Sequence, residues 1–395
     1  MAKILFITWD GPQTSYMEGL FLPIFNQIKK TESVDFHVVQ FTWAAKEKTD
    51  CIAQIAKSYG IHYSVYSITR RPVAILGSIF TLFQGVKFLQ KYIDKHKIDV
   101  VMPRSTMPAV MVNRLKLPNS KILFDADGLP LEERVDFSGL SKTSKQYRWL
   151  KSEETKLLQI ANGVITRSEK AIEIHLQTIG EAFKSKFSVV FNGRNIDFFQ
   201  LNITQKEMMR NVLSFSQDDL VFVYCGSLGL QYGWEEMILI FKDYLQRYPK
   251  SKWLILTGNT AFAESRITSE LRNSVRILSV PFEEVPKYLS VADVAFAIRK
   301  PTFSMQGVAP IKLGEYLLMG LPTIASKGIG DTEQLLDKVE GCFLFDHDED
   351  DAASKAVSFV ENYKSYSSEN LRQVGITYFS LQESAVTYIK ALKQL

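Results

Sequence analysis

Cysteine is scarce. The 395 residues hold three, Cys51, Cys225 and Cys342, far apart and without a CxxC pair. That spacing gives neither a thiolate zinc site nor a disulfide framework, and a reducing cytoplasm is the expected compartment. Histidine is also scarce: five residues, scattered along the chain, which argues against a histidine-rich metal centre. Long hydrophobic runs are missing. The longest, Val73 to Phe88, is interrupted by Gln84 and Lys87. It falls short of the roughly 20 residues of a membrane span and is expected to form a buried or half-buried helix. The opening MAKILFITWDG has an apolar run of only about five residues before Asp10, too short for a secretory leader. Three ligand-binding signatures are absent as well. No GxGxxG follows the first strand of either half, which disfavours a dinucleotide cofactor. No GxxxxGK[ST] occurs, which disfavours ATP hydrolysis. No GxSxG elbow occurs, which disfavours an α/β-hydrolase.

What is present is ordinary globular material, 46% hydrophobic and 23% charged. The net charge of +4 is unevenly placed. Residues 1–198 carry 27 Lys and Arg against 19 Asp and Glu, and the remainder 20 against 24. A basic half beside an acidic half suggests two lobes with different partners. No polybasic tail occurs, so nucleic acid is not an expected partner.

Short β-rich runs alternate with longer helical patterns. Strands are expected at Ile4–Thr8, Val34–Val39, Val100–Met102, Lys121–Phe124, Val164–Thr166 and Ser188–Phe191. The pattern restarts with Leu220–Tyr224, Trp253–Leu256, Val275–Leu278, Val294–Ile298, Thr323–Ala325 and Cys342–Phe345. Strands separated by helices imply βαβ units and parallel sheets. The predicted class is therefore α/β, with two Rossmann-like doubly wound domains, residues 1–198 and 199–377. A helix at about 378–395 is expected to pack back on the first. Ligands in such sheets bind beyond the carboxyl ends of the strands. With two lobes facing across a cleft, functional side chains belong in the loops after strands.

The most informative stretch is QGVAPIKLGEYLLMGLPTIASKGIG, residues 306–330. Pro310 suits the first helical position and Gly320 the residue past the helix end, giving a helix Pro310–Met319. Gln306, Gly307, Val308 and Ala309 would then present backbone N–H groups beside the helix dipole, an anion site suited to a diphosphate. Lys312 and Glu315 share a face at i, i+3. A carboxylate at Glu315 can accept two hydrogen bonds from a ribose diol. The alternative is an exposed Lys312–Glu315 surface pair. Gly226, Ser227 and Gly229 form a turn between strand and helix, read either as a phosphate contact or as an ordinary βα turn.

The segment PxKxxEYLxxGxP, followed by a strand and a glycine-containing loop, resembles the donor-binding segment of family 4 glycosyltransferases. VYCGSLG, GWEEMILIFKDYLQRYP, WLILTGN and VPKYLSVADVAF resemble the elements before it, and VVFNGRNIDFF the linker between lobes. The GSLG, EY and GIGD pieces are most similar to a subgroup that builds bacterial surface polysaccharides. The resemblance implies a GT-B fold and retaining transfer from a nucleoside diphosphate sugar, UDP- or GDP-linked, to a glycan or lipid-linked acceptor. It implies no further cofactor and no metal. It also implies that Thr257, Gly258, Val280 and Pro281 flank the base, and that Glu315 binds the ribose. Gly11, Arg104 and Asp127 would lie on the acceptor side.

The histidine common in the family's first-lobe acceptor loop has no counterpart near Pro103–Pro108, where Arg104 is the nearest polar candidate, and three second-lobe positions also depart from the family pattern. Gly307 stands where an acid is usual, Ser227 where an arginine is usual, and Tyr232 where a lysine is usual. The diphosphate clamp must then come from elsewhere: Lys312 first, Arg299 second, with Lys300 or Arg194 as further choices. Asp125, Asp127 and Glu133 after a first-lobe strand could form a metal site, but the family needs none. His175 is expected to be structural. The basic stretch 142–151, with Tyr147 and Trp149, is expected to be a solvated helix face or a contact with an anionic membrane. The compartment expected is the cytoplasm, with peripheral contact at the inner face of the plasma membrane. The competing functional readings are an epimerase acting on a UDP-sugar and a non-catalytic nucleotide-sugar binder.

Overall fold

The computed structural model describes residues 1–71 and 73–395. The chain divides into two compact units: residues 1–192 with the returning segment 381–395, and residues 193–380. The division falls six residues before the sequence-based boundary at 198/199, at Asn192 and Gly193.

The first unit is built on β1 (Ala2–Asp10), β2 (Val34–Thr42), β3 (His62–Ser67), β4 (Val100–Pro103), β5 (Lys121–Asp127), β6 (Gly163–Thr166) and β7 (Phe187–Val189). They form one parallel sheet in the order β3-β2-β1-β4-β5-β6-β7. The second unit is built on β8 (Val221–Cys225), β9 (Lys252–Leu256), β10 (Val275–Leu278), β11 (Val294–Ala297), β12 (Thr323–Ser326) and β13 (Cys342–Phe345). Its parallel sheet runs β10-β9-β8-β11-β12-β13. Both orders reverse direction at the first strand of the unit, the doubly wound pattern. Helices cover both faces, so central strands such as Val221–Cys225 and Val294–Ala297 are buried along their whole length.

The helix Leu381–Lys393 belongs to the first unit and packs on the helix Leu22–Thr31. Its Tyr388 is buried, with the ring edge-on to Phe25 at 6.5 Å between centroids.

The apolar run after residue 72 forms the half-buried helix Ala74–His96, with its first half the more exposed. Ile75, Leu76, Phe80 and Phe83 are each more than half exposed. The buried stripe is narrow: Gly77, Thr81, Gly85, Leu89 and Ile93 at a spacing of four, with Leu82 beside it. Small residues on that stripe let the helix approach closely. A Cβ at Gly85 would stand 2.7 Å from Phe41 and 2.9 Å from the Met111 sulfur. Val86, Phe88 and Tyr92 pack against the core from its flank, while Ile75, Leu76, Phe80 and Phe83 face outward.

Candidate active site

In the second unit the predicted residues converge at the carboxyl ends of β8 and β11. Gly226 follows β8 with φ +134°, a conformation suited to glycine. The Lys312 side chain lies directly over it: an added Cβ would be 2.2 Å from Lys312 Cε. Absence of a side chain at Gly226 is therefore what lets Lys312 curl back past the start of its helix. Its Nζ sits 4.0 Å from the Tyr232 ring centroid and 5.0 Å from that of Tyr224. Tyr232 pairs through a short antiparallel bridge with Arg299, whose guanidinium carbon lies 4.8 Å from the same ring. Two cations thus lie against the same aromatic ring. Among the described residues neither forms an ion pair with a carboxylate. Burial holds the Lys312 ammonium below the ordinary lysine range. The Tyr232 hydroxyl opposes this, and Arg299 adds to it by repulsion. Arg299 is fixed by its backbone N–H, which donates to Ser326 Oγ at 2.9 Å.

Glu315 does not pair with Lys312, so the surface-pair alternative is overturned. Its Oε1 accepts from Arg194 Nε at 2.8 Å, and both residues are buried. The helix runs Ile311–Leu318 and turns Glu315 inward, beside Leu313, Gly314 and Tyr316. Arg194 also faces the Phe282 ring at 5.8 Å. That ring stacks on Phe198 at 5.3 Å and remains partly exposed. Half-buried Val280 and exposed Pro281 directly precede it. Cys225 faces Glu315, Lys312 and Arg194, and burial pushes its thiol up to about 12. It is therefore a protonated, unreactive thiol.

The segment 306–309 is more closed than expected. Gln306 and Gly307 belong to a 3-10 turn, Phe303–Gly307, and the Val308 N–H donates to Met305 O at 3.2 Å. Ala309 follows. Pro310 is the residue before the helix, not its first member, and its carbonyl accepts from Leu313 N–H at 3.1 Å. A 3-10 turn uses its own donors, so the expected row of open amides is shortened. Gly320 ends the helix with φ +69°, as expected.

Thr257 is buried after β9, and its hydroxyl accepts from Asn259 N–H at 3.1 Å. Gly258 is exposed, with open space where a Cβ would stand. Asn259 Nδ2 donates to Leu228 O at 3.0 Å and so ties the loops after β8 and β9 together. Ser227 is exposed, and its carbonyl accepts from the Tyr224 hydroxyl.

The first unit has its own polar cluster at the carboxyl ends of β1, β4 and β5. Arg104 is buried and donates to Asp127 Oδ2 at 2.7 Å and to Asp125 Oδ2 at 3.4 Å. Its guanidinium also lies over the Phe21 ring at 4.6 Å. Arg167 Nη2 donates to both oxygens of Asp125, at 2.9 and 2.7 Å. The Asp125 and Asp127 oxygens thus face guanidinium groups, which is arginine-carboxylate chemistry rather than a cation site. Asp127 has φ +65°, and its side chain is 28% exposed. Gly11 lies against the Trp43 ring, where a Cβ would come within 3.0 Å. His175 is buried, in keeping with a structural role.

The sequence reading passed over Asp10. It ends β1 and accepts from Thr8 Oγ1 at 2.7 Å and Gln40 Nε2 at 3.3 Å. Burial raises its pKa, against the pull of Thr8 and Arg104. Its position at a strand's carboxyl end was the available signal. It also missed Tyr224, Tyr316, Phe282 and Asn259, whose contribution depends on contacts between distant loops.

These two parallel-sheet Rossmann-like units are the GT-B fold class that the sequence predicts. Residues 219–362 match the family model described as Glycosyl transferases group 1. Anabaena HepE in complex with UDP-glucose is similar in structure, with a TM-score of 0.72 and 15% identity over 100% of both chains. Sucrose-phosphate synthase from Thermosynechococcus elongatus gives 0.70 and 16%, covering 100% of this chain and 99% of its own. The lipopolysaccharide outer core galactosyltransferase WaaB, in its apo form, gives 0.66 and 14% over 99% of both chains. At such identities the likeness concerns the fold. No curated protein matches the sequence.

Proposed function

We propose that the protein is a retaining, metal-independent glycosyltransferase similar to family 4. It would move a sugar from a nucleoside diphosphate sugar to a glycan or lipid-linked acceptor in bacterial polysaccharide or cell-envelope biosynthesis. The observation that carries this reading is the pair of cations, Lys312 and Arg299, meeting on Tyr232 without a carboxylate partner. Two like charges held together, one of them withdrawn from water, are best matched by a dianionic ligand. Glu315, one turn further along the helix, supplies the acceptor for a ribose diol. Catalysis would consist mainly of stabilising the departing diphosphate, with front-face attack by the acceptor hydroxyl. Gly11, Arg104 and Asp127 in the first unit are the acceptor-side residues. HepE binds UDP and UDP-glucose, which makes a UDP-sugar the first choice and a GDP-sugar the second.

A thermal-shift panel of UDP-, GDP-, ADP- and CMP-sugars is expected to single out one nucleotide. Transfer from that donor is then measured with a cell-envelope extract as acceptor. Epimerised sugar formed without acceptor would assign the site to an epimerase. Binding without turnover would assign it to a non-catalytic binder, the reading that Gly307 in place of an acid favours. The transfer rate is expected to be unchanged by EDTA. A loss restored by Mg²⁺ or Mn²⁺ would contradict metal independence.

A membrane-bound acceptor also fits the first unit. Among the described residues no helix is long and apolar enough to cross a membrane. The outward face of the helix Ala74–His96 instead offers Ile75, Leu76, Phe80 and Phe83, with exposed Arg70, Arg71 and Lys87 close by in sequence. Trp149 joins this helix across an apolar cavity of about 310 Å³, lined also by Ile79, Phe83 and Met111. Exposed Lys142, Lys145 and Arg148 flank Trp149 in sequence. Apolar side chains with flanking cations suit an anionic bilayer surface, the bound occupant we propose for this face. Co-sedimentation with phosphatidylglycerol vesicles is expected, weakened by salt and by F80S/F83S. Equal binding to neutral vesicles, or none to either, would remove the membrane from the proposal.

A further inference from the structure

Three of the five histidines, scattered in sequence, gather at one corner of the first sheet. His37 lies on β2 and His62 opens β3, and the two are register partners. Partners in a parallel ladder share a face, and Asp35, two residues before His37, shares it too. The imidazoles of His37 and His62 stack at 4.5 Å between centroids. Asp35 lies between them: Oδ2 is 3.4 Å from His37 Nε2, and Oδ1 is 3.6 Å from His62 Nε2. The three ligand atoms fall within 4.8 Å of one another. His96, at the end of the helix Ala74–His96, stands behind them with its ring 5.0 Å from His37.

We propose that Asp35, His37 and His62 form a binding site for a divalent transition-metal cation, with zinc the best match. Zinc bonds to imidazole and carboxylate are about 2.0–2.1 Å long, so tetrahedral ligands stand about 3.3–3.4 Å apart. Each imidazole Nε2 lies near that distance from one carboxylate oxygen, His37 from Oδ2 at 3.4 Å and His62 from Oδ1 at 3.6 Å. His37 is 98% buried, yet its Nε2 has no hydrogen-bond partner and faces this cluster. Its other nitrogen, Nδ1, is engaged by the Tyr92 hydroxyl at 3.0 Å, the outer contact that orients a metal-ligating imidazole. A buried ring nitrogen facing a carboxylate and a second imidazole is the arrangement a metal ion would satisfy. His62 is 60% exposed on its side chain, which gives the ion an entry path and leaves the fourth position to water. Two imidazoles and one carboxylate suit zinc and its neighbours in the first transition row, not magnesium or calcium.

The site is remote from the transfer chemistry proposed above. His37 is level with Leu5 on β1, and Asp10 lies five residues further toward the carboxyl end. At a rise of about 3.3 Å per residue, that separation is roughly 17 Å. The ion would therefore tie β2 to β3, the edge strand, rather than take part in sugar transfer.

The test uses full-length, untagged protein stripped with EDTA. Co(II) titration is expected to give the visible d–d absorption of a tetrahedral site at one equivalent per chain, bleached by Zn²⁺. Zn²⁺ should also raise the Tm. Loss of an outer contact at a metal site commonly costs about 10–100-fold in affinity, so loss of a ligand should cost at least the upper figure. We expect that loss for His62→Ala, whose exposed side chain can be removed without a packing defect, and for Asp35→Asn. His347→Ala, outside the cluster, should bind like the wild type, and Mg²⁺ should not compete. The proposal is overturned if the wild type takes up no stoichiometric Co(II) or Zn²⁺. It is also overturned if His62→Ala and Asp35→Asn bind them as tightly as the wild type does. Neither result bears on the transferase reading, which is measured by donor turnover.

Discussion

Lys312→Ala is expected to lower kcat by roughly 10²-fold, the scale of losing one preorganised group that stabilises developing charge. Donor affinity should fall less, because charge on the diphosphate grows as the glycosidic bond breaks. The dipole of the helix Ile311–Leu318 supplies only about half a positive charge, and the 3-10 turn before it has consumed some of its donors. A cation must supply the rest. Lys312 is held ready over Gly226 and against Tyr224 and Tyr232, so little reorganisation remains at the moment of reaction. Its lowered pKa has a consequence of known sign. Only the ammonium stabilises a diphosphate, so turnover should decline with rising pH earlier than an ordinary lysine would allow. Steady-state kinetics of Lys312→Ala and Arg299→Ala decide the assignment. Full kcat in the first with loss in the second transfers the role to Arg299. Full kcat in both would place the diphosphate elsewhere.

The route by which Lys312 reaches its place was legible in the sequence; its surroundings were not. A lysine in the first turn of a helix leans toward the N-terminus, and a glycine after β8 leaves it room. Tyr232 was noticed only as the absence of a lysine, yet its ring is where Lys312 and Arg299 meet. The sheets were legible because strands covered on both faces read as unbroken apolar runs, as in Ile4–Thr8 and Val294–Ile298. β3 was not. As the edge strand its exposure alternates, and HYSVYS has no apolar run to mark it. The histidine cluster stayed hidden for the same reason, since the β2–β3 register that joins His37 to His62 is set by the sheet. Local spacing could not show the partner of Glu315, because i, i+3 geometry describes one helix and Arg194 lies 121 residues away.

That partner changes what Glu315→Ala should do. A carboxylate that only accepted from a ribose diol would give a roughly ten- to hundredfold loss of donor affinity with the fold intact. In the structure the substitution removes the carboxylate to which Arg194 Nε donates, beside a guanidinium that is only 8% exposed. Breaking one side of a buried ion pair costs about 3–5 kcal/mol, so a large fall in the Tm of the carboxy-terminal unit is expected as well. Stability and binding can be separated. Glu315→Gln keeps an oxygen to accept from Arg194 Nε but removes the charge; it should lose less stability and still bind donor more weakly. Replacing both partners, Glu315→Leu with Arg194→Met, removes the two buried charges together. Such replacements are often neutral in stability, so much of the Tm should return. Donor affinity should not, if the carboxylate holds the ribose diol: losing that bidentate contact costs about 1.5–3 kcal/mol, roughly ten- to a hundredfold in Kd. A double variant that binds the donor as tightly as the wild type would leave Glu315 with one task, that of neutralising Arg194. Phe282, whose ring Arg194 faces, would then be the next residue to probe.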